Sequence, residues 1–514
     1  MKGVKIMGTA SSGEWIAILL YFALVIGVGV YFFFRDRNVE GEKEYFLGGR
    51  SMGGWVAALS AGASDMSAWV LMGLPGSIYL YGIGKVWIAV GLVIGTICAW
   101  VFVAPRLRRY SIRANDSITI PQFLTNRFQS KNKGLQIISA IVFVVVYCIY
   151  SASSISACGT LFNTVTGMSA KTAMIIATAI ILVYVFLGGF NAVCWTDFFQ
   201  GMLMLAALML TPILALFVMK GADFVAPVMA VPENYYNALS GGGFNWKSVS
   251  DILSGLGWGL GYFGMPHILL RFMAIREEKE LNQSRRIATI WVVISMFIAV
   301  FIGVIGYSVS AAGKVPFLAT SAESETIIIK LADLMSQHGV LLAVMAGIIL
   351  SGILAATMST ADSQLLAAAS SVSQDLMQHS FGIKMNQRTT MLAARATVIG
   401  IALIGMVLAW DPNSSVFRVV SFAWAGFGAA FGPVMLFSLF WKRANKQGAL
   451  AGMITGGAVV FIWKYLIAPM GGAWAIYELL PAFLAACIAI VIVSLATPAP
   501  EKAVTDTFDE ICGK

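Results

Sequence analysis

Apolar residues along this chain come in long unbroken runs, not at the spacing of 3.6 or 2 that marks a half-buried helix or strand. A helix that crosses a bilayer needs about 20 mostly apolar residues. Thirteen stretches meet that requirement: residues 15–34, 53–80, 84–104, 134–163, 170–188, 196–219, 248–270, 288–311, 340–368, 392–410, 415–440, 449–467 and 474–497. The pattern therefore predicts an all-α integral membrane protein with about 13 spans. The first run has no small-residue cleavage site after it, so it reads as an anchor and not as a removed signal peptide. One connecting segment is different. Residues 324–336 place Ile328, Leu331, Ala332 and Met335 at i, i+3, i+4 and i+7, the stripe of an amphipathic helix. Such a helix would cover an external vestibule or pack on its neighbours.

Composition agrees with the spans. Of 514 residues, 59% are hydrophobic and 11% charged, where a soluble domain averages about 25% charged. That supply of charge cannot clothe a water-facing surface, and it excludes disorder as well. The net charge of +9 is explained by position. With the N-terminus outside, most basic residues fall in cytoplasmic loops: Arg35, Arg37, Lys43 and Arg50; the group from Arg106 to Lys133 that includes Lys131; Arg271 to Arg286; Lys384 to Arg395; Lys442 to Lys446; and Lys502 with Lys514. This is the positive-inside bias. It sets the C-terminus in the cytoplasm and leaves no soluble basic module for nucleic acid. Six cysteines without a CxxC pair and three scattered histidines give no disulfide framework or metal cage.

Polar residues inside spans are costly and therefore informative. The second span carries LSAGASDMSAWVLMGLPG (59–76), with Asp65 near its middle. A carboxylate there costs about 2.5–3.5 kcal/mol on insertion scales. The seventh carries SGLGWGLGYFGMPH (254–267), with five glycines and Pro266. Both read as interrupted helices. They lie five spans apart, so spans 2–6 and 7–11 form two five-helix units of opposite topology, with a binding site at the midplane. The units cover residues 53–219 and 220–440, flanked by an extra helix and loop (1–52) and by further helices and a cytoplasmic tail (441–514). In the ninth span Ala356, Ser359 and Thr360 share one helix face. Two hydroxyls with backbone carbonyls from a broken helix make a neutral oxygen cage suited to a small hard cation such as sodium. Asp197 and Asp362 are further carboxylates near span ends, Asp197 in either a site or a solvated, capping role. Trp69, Tyr150, Trp258 and Tyr262 cluster near the breaks, and Trp258 and Tyr262 share a face at i, i+4. That suits a small apolar pocket with a polar handle.

These residues resemble the sodium:solute symporter family and, within it, the bacterial sodium/proline symporters. The stretches that carry the resemblance are 45–69, FLGGFNAVCWTD (186–197), GWGLGYFGMPHILLRFMA (257–274), LAATMSTADSQLL (354–366) and SFAWAGFGAAFGPV (421–434). The resemblance implies the LeuT-type 5+5 inverted repeat with additional helices. It implies a sodium site from the carbonyls of Ala63, Met66 and Ala356 with the hydroxyls of Ser359 and Thr360, and Asp65 as a supporting acid. It implies a proline pocket of Ser67, Trp69, Tyr150, Trp258, Tyr262 and Pro266. Arg50 and Asp197 match positions that influence sodium coupling. Ser363 with Asp197 resembles the second sodium site of some sialic-acid members, which leaves one or two sodium ions open. Ala68 stands where many relatives of this kind have Gly.

The expected activity is sodium-coupled import of L-proline by alternating access at the bacterial cytoplasmic membrane, with the lipid bilayer as surroundings and no obligate protein partner or bond-making chemistry. The alternatives keep the fold and change the cargo to another amino acid, a betaine-like osmolyte or pantothenate, or replace sodium by a proton at Asp65. A membrane-embedded enzyme would need a nucleophile–base pair or metal ligands in the spans, and only His267 lies near a break.

Overall fold

The computed structural model describes residues 10–35, 42–130, 132–186, 189–229, 231–239, 242–411 and 415–512. Arg37, Lys131 and Lys514, assigned above to cytoplasmic loops, lie outside them, as do Leu187 and Gly188 of the 186–197 stretch.

The described chain is helical. In order come α1 (Ser12–Arg35), α2 (Glu42–Leu47), α3 (Gly54–Ala68), α4 (Leu74–Tyr81), α5 (Val86–Cys98), α6 (Ala104–Arg113), α7 (Ile120–Arg127), α8 (Gly134–Thr166), α9 (Ala170–Phe186), α10 (Phe190–Met229) and α11 (Trp246–Gly257). Then follow α12 (Pro266–Ala274), α13 (Glu280–Ala311), α14 (Ser321–Ser324), α15 (Ile327–Ser336), α16 (Val340–Ser370), α17 (Gln387–Leu408), α18 (Val416–Phe440), α19 (Lys446–Ile462), α20 (Leu479–Ala496) and α21 (Lys502–Cys512). Among the described residues, 10 helices are long and apolar enough to cross a membrane. The other three expected spans are the shorter apolar α9 and the two interrupted segments.

Both interruptions sit where the glycine- and serine-rich runs predict them. The first is at Ser67, whose backbone (φ 45°, ψ −172°) leaves the helix; a π-helical turn, Trp69–Gly73, then leads into α4. The second follows α11, where a 3-10 stretch, Trp258–Phe263, runs to Gly264 and an extended Met265. Pro266 then opens α12, at the one helical position where a missing amide hydrogen costs nothing. Glycine is needed at Gly259, because a Cβ there would lie 2.2 Å from the Gly91 carbonyl oxygen of α5. The second break and α5 are packed backbone to backbone.

Helices α3, α10, α13 and α16 pack around the first break, and α5 and α18 around the second. The amphipathic segment 324–336 runs from the last residue of α14 through α15. Ile328, Leu331, Ala332 and Met335 are fully buried, and α15 packs on α16. It is a packed helix and not a loose cover. Three features depart from the sequence reading. α16 continues past residue 368 as a π-helical segment, Ser371–Ser380. The last apolar helix starts at Leu479, after a stretch of short 3-10 turns. The tail folds into α21, whose Val504, Phe508 and Ile511 are buried.

Candidate functional site

The two breaks meet. Tyr262, in the 3-10 stretch, donates its hydroxyl hydrogen to Asp65 Oδ2 of α3, and both side chains are buried. Above them the Trp69 and Trp258 rings lie 5.4 Å apart. Trp258 also stacks on Phe417 of α18 at 5.4 Å and on Tyr477 at 5.2 Å. Trp424 of α18 stands edge-on to Tyr262 at 5.2 Å and donates its indole N–H to the Trp258 carbonyl at 2.8 Å. Tyr150 is fully buried, 6.3 Å from the His267 ring, and close enough to Asp65 and Ser67 to interact with both. Five of the six predicted pocket residues therefore gather in one buried cluster of aromatic rings. Pro266 shapes the backbone of the break by opening α12.

Ser67 holds the first break in a region of backbone space that is essentially glycine-only, at a cost of about 1–3 kcal/mol. Its Oγ accepts the Trp69 amide hydrogen at 3.2 Å, so the residue caps the helix it interrupts.

On the other side of α3 lies the expected oxygen cage. Ser359 Oγ donates to the Ala63 carbonyl at 3.0 Å and lies 3.2 Å from the Ala356 carbonyl. Thr360 Oγ1 donates to the same Ala356 carbonyl at 3.0 Å. Four of the five predicted oxygens are thus linked in a chain, from the Ala63 carbonyl through Ser359 and the Ala356 carbonyl to Thr360. Each hydroxyl has lone pairs free to turn toward a cation. The fifth, the Met66 carbonyl, accepts the Trp69 amide hydrogen.

Asp197 is neither solvated nor a helix cap. It sits inside α10, fully buried, and pairs with Arg271 Nη2 at 2.9 Å. The same Nη2 donates to Ser363 Oγ at 2.5 Å. Nη1 donates to the His267 carbonyl at 2.9 Å, Nε donates to Ser60 Oγ at 3.2 Å, and Ser60 Oγ donates to Asp197 at 2.8 Å. One guanidinium thus ties α3, α10, α12 and α16 together beside the cage. The sequence reading counted Arg271 among loop cations. The signal available was its place only five residues beyond Pro266, inside an apolar run.

Two further polar clusters fasten the segments around the breaks. Arg50, just ahead of α3, is buried and binds Asp116 Oδ1 at 2.9 Å, Ser111 Oγ at 3.0 Å, the Met273 carbonyl at 2.6 Å and the Ser117 carbonyl at 2.8 Å. Lys43 binds the other Asp116 oxygen at 2.5 Å. Burial lowers the Arg50 pKa from its usual value. Partial burial alone would raise the Asp116 carboxyl, but Lys43 and Arg50 outweigh it and hold the group below the usual carboxylate range. Met52 pairs with the end of α12 through Ala274 and Arg276, so the start of α3 is fastened to the exit of the second break. Glu325 caps α18. Its oxygens accept from Ser415 Oγ at 2.6 Å and from the Val416 and Phe417 amides at 2.9 Å each. Burial raises its pKa. Phe417, held by this cap, is the ring that stacks on Trp258. Neither Asp116 nor Glu325 stands out in sequence, because each works through partners distant along the chain.

Known proteins are similar over nearly the whole length. The profile of the family described as "Sodium:solute symporter family" matches residues 45–456. The chain is 43% identical over 484 residues to the "High-affinity proline transporter PutP" of Bacillus subtilis (strain 168), covering 94% of this chain and 98% of that one. It is 40% identical over 494 residues to the "Sodium/proline symporter" of Escherichia coli (strain K12), covering 96% and 95%. Among solved structures, a sodium-coupled sialic acid symporter in a substrate-bound outward-open state superposes with a TM-score of 0.78 at 18% identity, covering 96% of this chain and 99% of that one. The last likeness is one of fold alone.

Proposed function

The chain belongs to the sodium:solute symporter family, and from that premise we propose that it imports L-proline together with sodium across the bacterial cytoplasmic membrane. Its relatives named as proline transporters and sodium/proline symporters support this cargo. The fold is the LeuT-type inverted repeat, with spans 2–6 (53–219) and 7–11 (220–440) as its halves, the N-terminus outside and thirteen spans in all. Transport needs no bond-making chemistry.

The observation that carries the reading is the contact between the two broken segments, with the linked hydroxyls of α16 and the aromatic cluster both beside it. Sodium binds at Ala63, Met66, Ala356, Ser359 and Thr360, replacing the Ser359 and Thr360 hydrogen bonds to carbonyls with oxygen–cation contacts. This steadies α3 up to the Ser67 break. Proline then enters beside Ser67, its ring against Trp69 and Trp258, with Tyr150 and Tyr262 as polar partners. Asp65 supports the arrangement through Tyr262. Arg271 already places a positive charge on Asp197 and Ser363, which favours one sodium per cycle over two. Release follows when the Arg50 contacts part and the cytoplasmic ends of α3 and α12 separate. The Glu325 cap keeps the outer side shut meanwhile.

The test is uptake of labelled proline into proteoliposomes with and without an inward sodium gradient, with alanine, betaine and pantothenate as competitors. Sodium-driven proline uptake that the competitors do not block is the expected result. Uptake indifferent to sodium, or driven by a pH gradient in sodium-free buffer, would overturn the reading. The double variant Ser359→Ala, Thr360→Ala should raise the sodium concentration for half-maximal uptake by about tenfold or more, from two lost ligand hydroxyls.

A further inference from the structure

We propose that Trp291 of α13 is a positioning residue for the sodium site. It backs the last helical turn before the Ser67 break and so holds the sodium-facing carbonyls toward α16. The inference rests on the assignment of sodium to that turn.

The geometry comes from four contacts. The indole N–H of Trp291 donates to Met66 Sδ at 3.0 Å. Gly62, one helical turn earlier, forms the notch that admits the ring, since a Cβ there would lie 2.8 Å from Trp291 Nε1 and 3.0 Å from Cδ1. The far end of the ring reaches α10, where a Cβ on Gly201 would lie 3.6 Å from Cη2 and 3.3 Å from Ala63 Cβ. Trp291 is itself buried, at 5% exposure. The indole is therefore wedged between α10, α13 and the Gly62–Met66 turn.

That turn needs a backstop. Ser67 departs from helical geometry immediately after it, and the backbone bond across the break, from the Trp69 amide to the Met66 carbonyl, spans three residues and not four. Behind it, a cavity of about 20 Å³ is lined by Asp65, Met66, Thr96, Tyr262 and Trp291, among other residues, and by none of the described residues of α16. The packing on this face of α3 has room for about one water. Trp291 bridges that gap. A donor on the Met66 side chain, with a glycine notch one turn back, fixes both the rotation and the depth of the turn. The Ala63 and Met66 carbonyls lie on the same turn, and Ser359 reaches the first of them from α16.

Three substitutions separate this role from simple packing. Trp291→Phe keeps an aromatic ring and removes the N–H. Met66→Leu keeps the backbone carbonyl and the volume and removes the sulfur acceptor. Gly62→Ala displaces the indole by filling its notch. Each should raise the sodium concentration for half-maximal proline uptake by about threefold to tenfold, the range expected for one lost hydrogen bond. In Trp291→Phe, proline half-saturation measured at saturating sodium should stay at the wild-type value. The double variant Trp291→Phe, Met66→Leu should be no worse than either single one, because both remove the same contact. Half-saturation is read per functional transporter, so reduced amounts in the membrane do not obscure it. An unchanged sodium requirement in Trp291→Phe, or single effects that multiply in the double variant, would overturn the assignment. Sodium-independent uptake by the wild type would instead sink the transport reading beneath it.

Discussion

Arg271→Met offers the sharpest test of the buried charge network. The substitution keeps an unbranched side chain of similar length and removes the guanidinium. Arg271 and Asp197 are exposed by only 1% and 0%, so bulk water does not compensate the loss. What remains around Asp197 is one hydroxyl donor at 2.8 Å from Ser60 and another at 3.4 Å from Ser363. Breaking a buried pair by removing one partner costs about 3–5 kcal/mol, because a charge is left uncompensated. The guanidinium also ties together the four helices that flank the proposed site, so that loss falls on their packing. Removing both charges with well-packed apolar groups is often neutral or stabilising. The double variant Arg271→Met, Asp197→Leu should therefore recover most of what the single variant loses. The assay is the fraction of monodisperse protein that survives heating in detergent, read across a temperature series for wild type, both single variants and the double. The expected order is wild type and double variant close together, with Arg271→Met well below. If Arg271→Met survives heating as well as wild type, or if the double variant is no better than Arg271→Met, the ion pair is not the structural tie described here.

Three further outcomes follow from other contacts. Ser67→Gly relieves a backbone strain of about 1–3 kcal/mol at the loss of one capping bond of about 1 kcal/mol. Ser67→Val keeps the strain and adds a branched Cβ, so folded yield should hold in the first and collapse in the second; equal yields would refute the strained geometry. Glu325→Gln retains one carbonyl oxygen where two carboxylate oxygens now accept three hydrogens, a loss of about 1–2 kcal/mol. Hydrogen exchange at the Val416 and Phe417 amides should speed up about tenfold, and unchanged protection would show that Glu325 does not hold that helix start. Asp116 has a carboxyl held below its ordinary range, so its contribution is fully present above the unfolded value and is lost as pH falls through the lower folded value. Chemical labelling of a cysteine placed at Ser111, divided at each pH by the labelling of the same thiol in denaturant to remove the thiolate's own pH dependence, should therefore be flat from pH 8 to pH 5, whereas in Asp116→Asn the ratio should be higher throughout; a rise in the ratio between pH 7 and pH 5 in otherwise native protein would contradict the Asp116 assignment.

Much of this architecture is legible in the sequence because lipid leaves few choices. Backbone polar groups must be satisfied within each helix, so apolar runs announce spans directly. The two breaks were legible for the same reason: glycine, serine and an aspartate at the centre of an apolar run are expensive without a purpose. The i, i+3, i+4 spacing of Ala356, Ser359 and Thr360 is local to one helix, and the face it predicts is the face that meets Ala63. What escaped is what depends on partners far along the chain. Asp197 and Arg271 are 74 residues apart, and nothing in either local segment says that they meet. Arginine at the edge of an apolar run looks like a loop cation; only the packing of α3, α10, α12 and α16 around it shows a buried tie. Trp291 reads as one more aromatic residue in a membrane helix until Gly62 is seen to admit its ring. The tail helix α21 escaped because its apolar positions, Val504, Phe508 and Ile511, are too few to mark it beside twelve or more spans.

Sodium and proline, bound at the joined breaks, are expected to assist each other's binding. Coupling of this kind is reciprocal: the factor by which sodium raises proline affinity must equal the factor by which proline raises sodium affinity. Equilibrium binding of labelled proline to purified protein across a sodium series, with labelled sodium binding across a proline series, measures both factors. Equal factors well above one, abolished together in Ser359→Ala, Thr360→Ala, are the predicted result. Proline affinity that does not change with sodium would contradict the account.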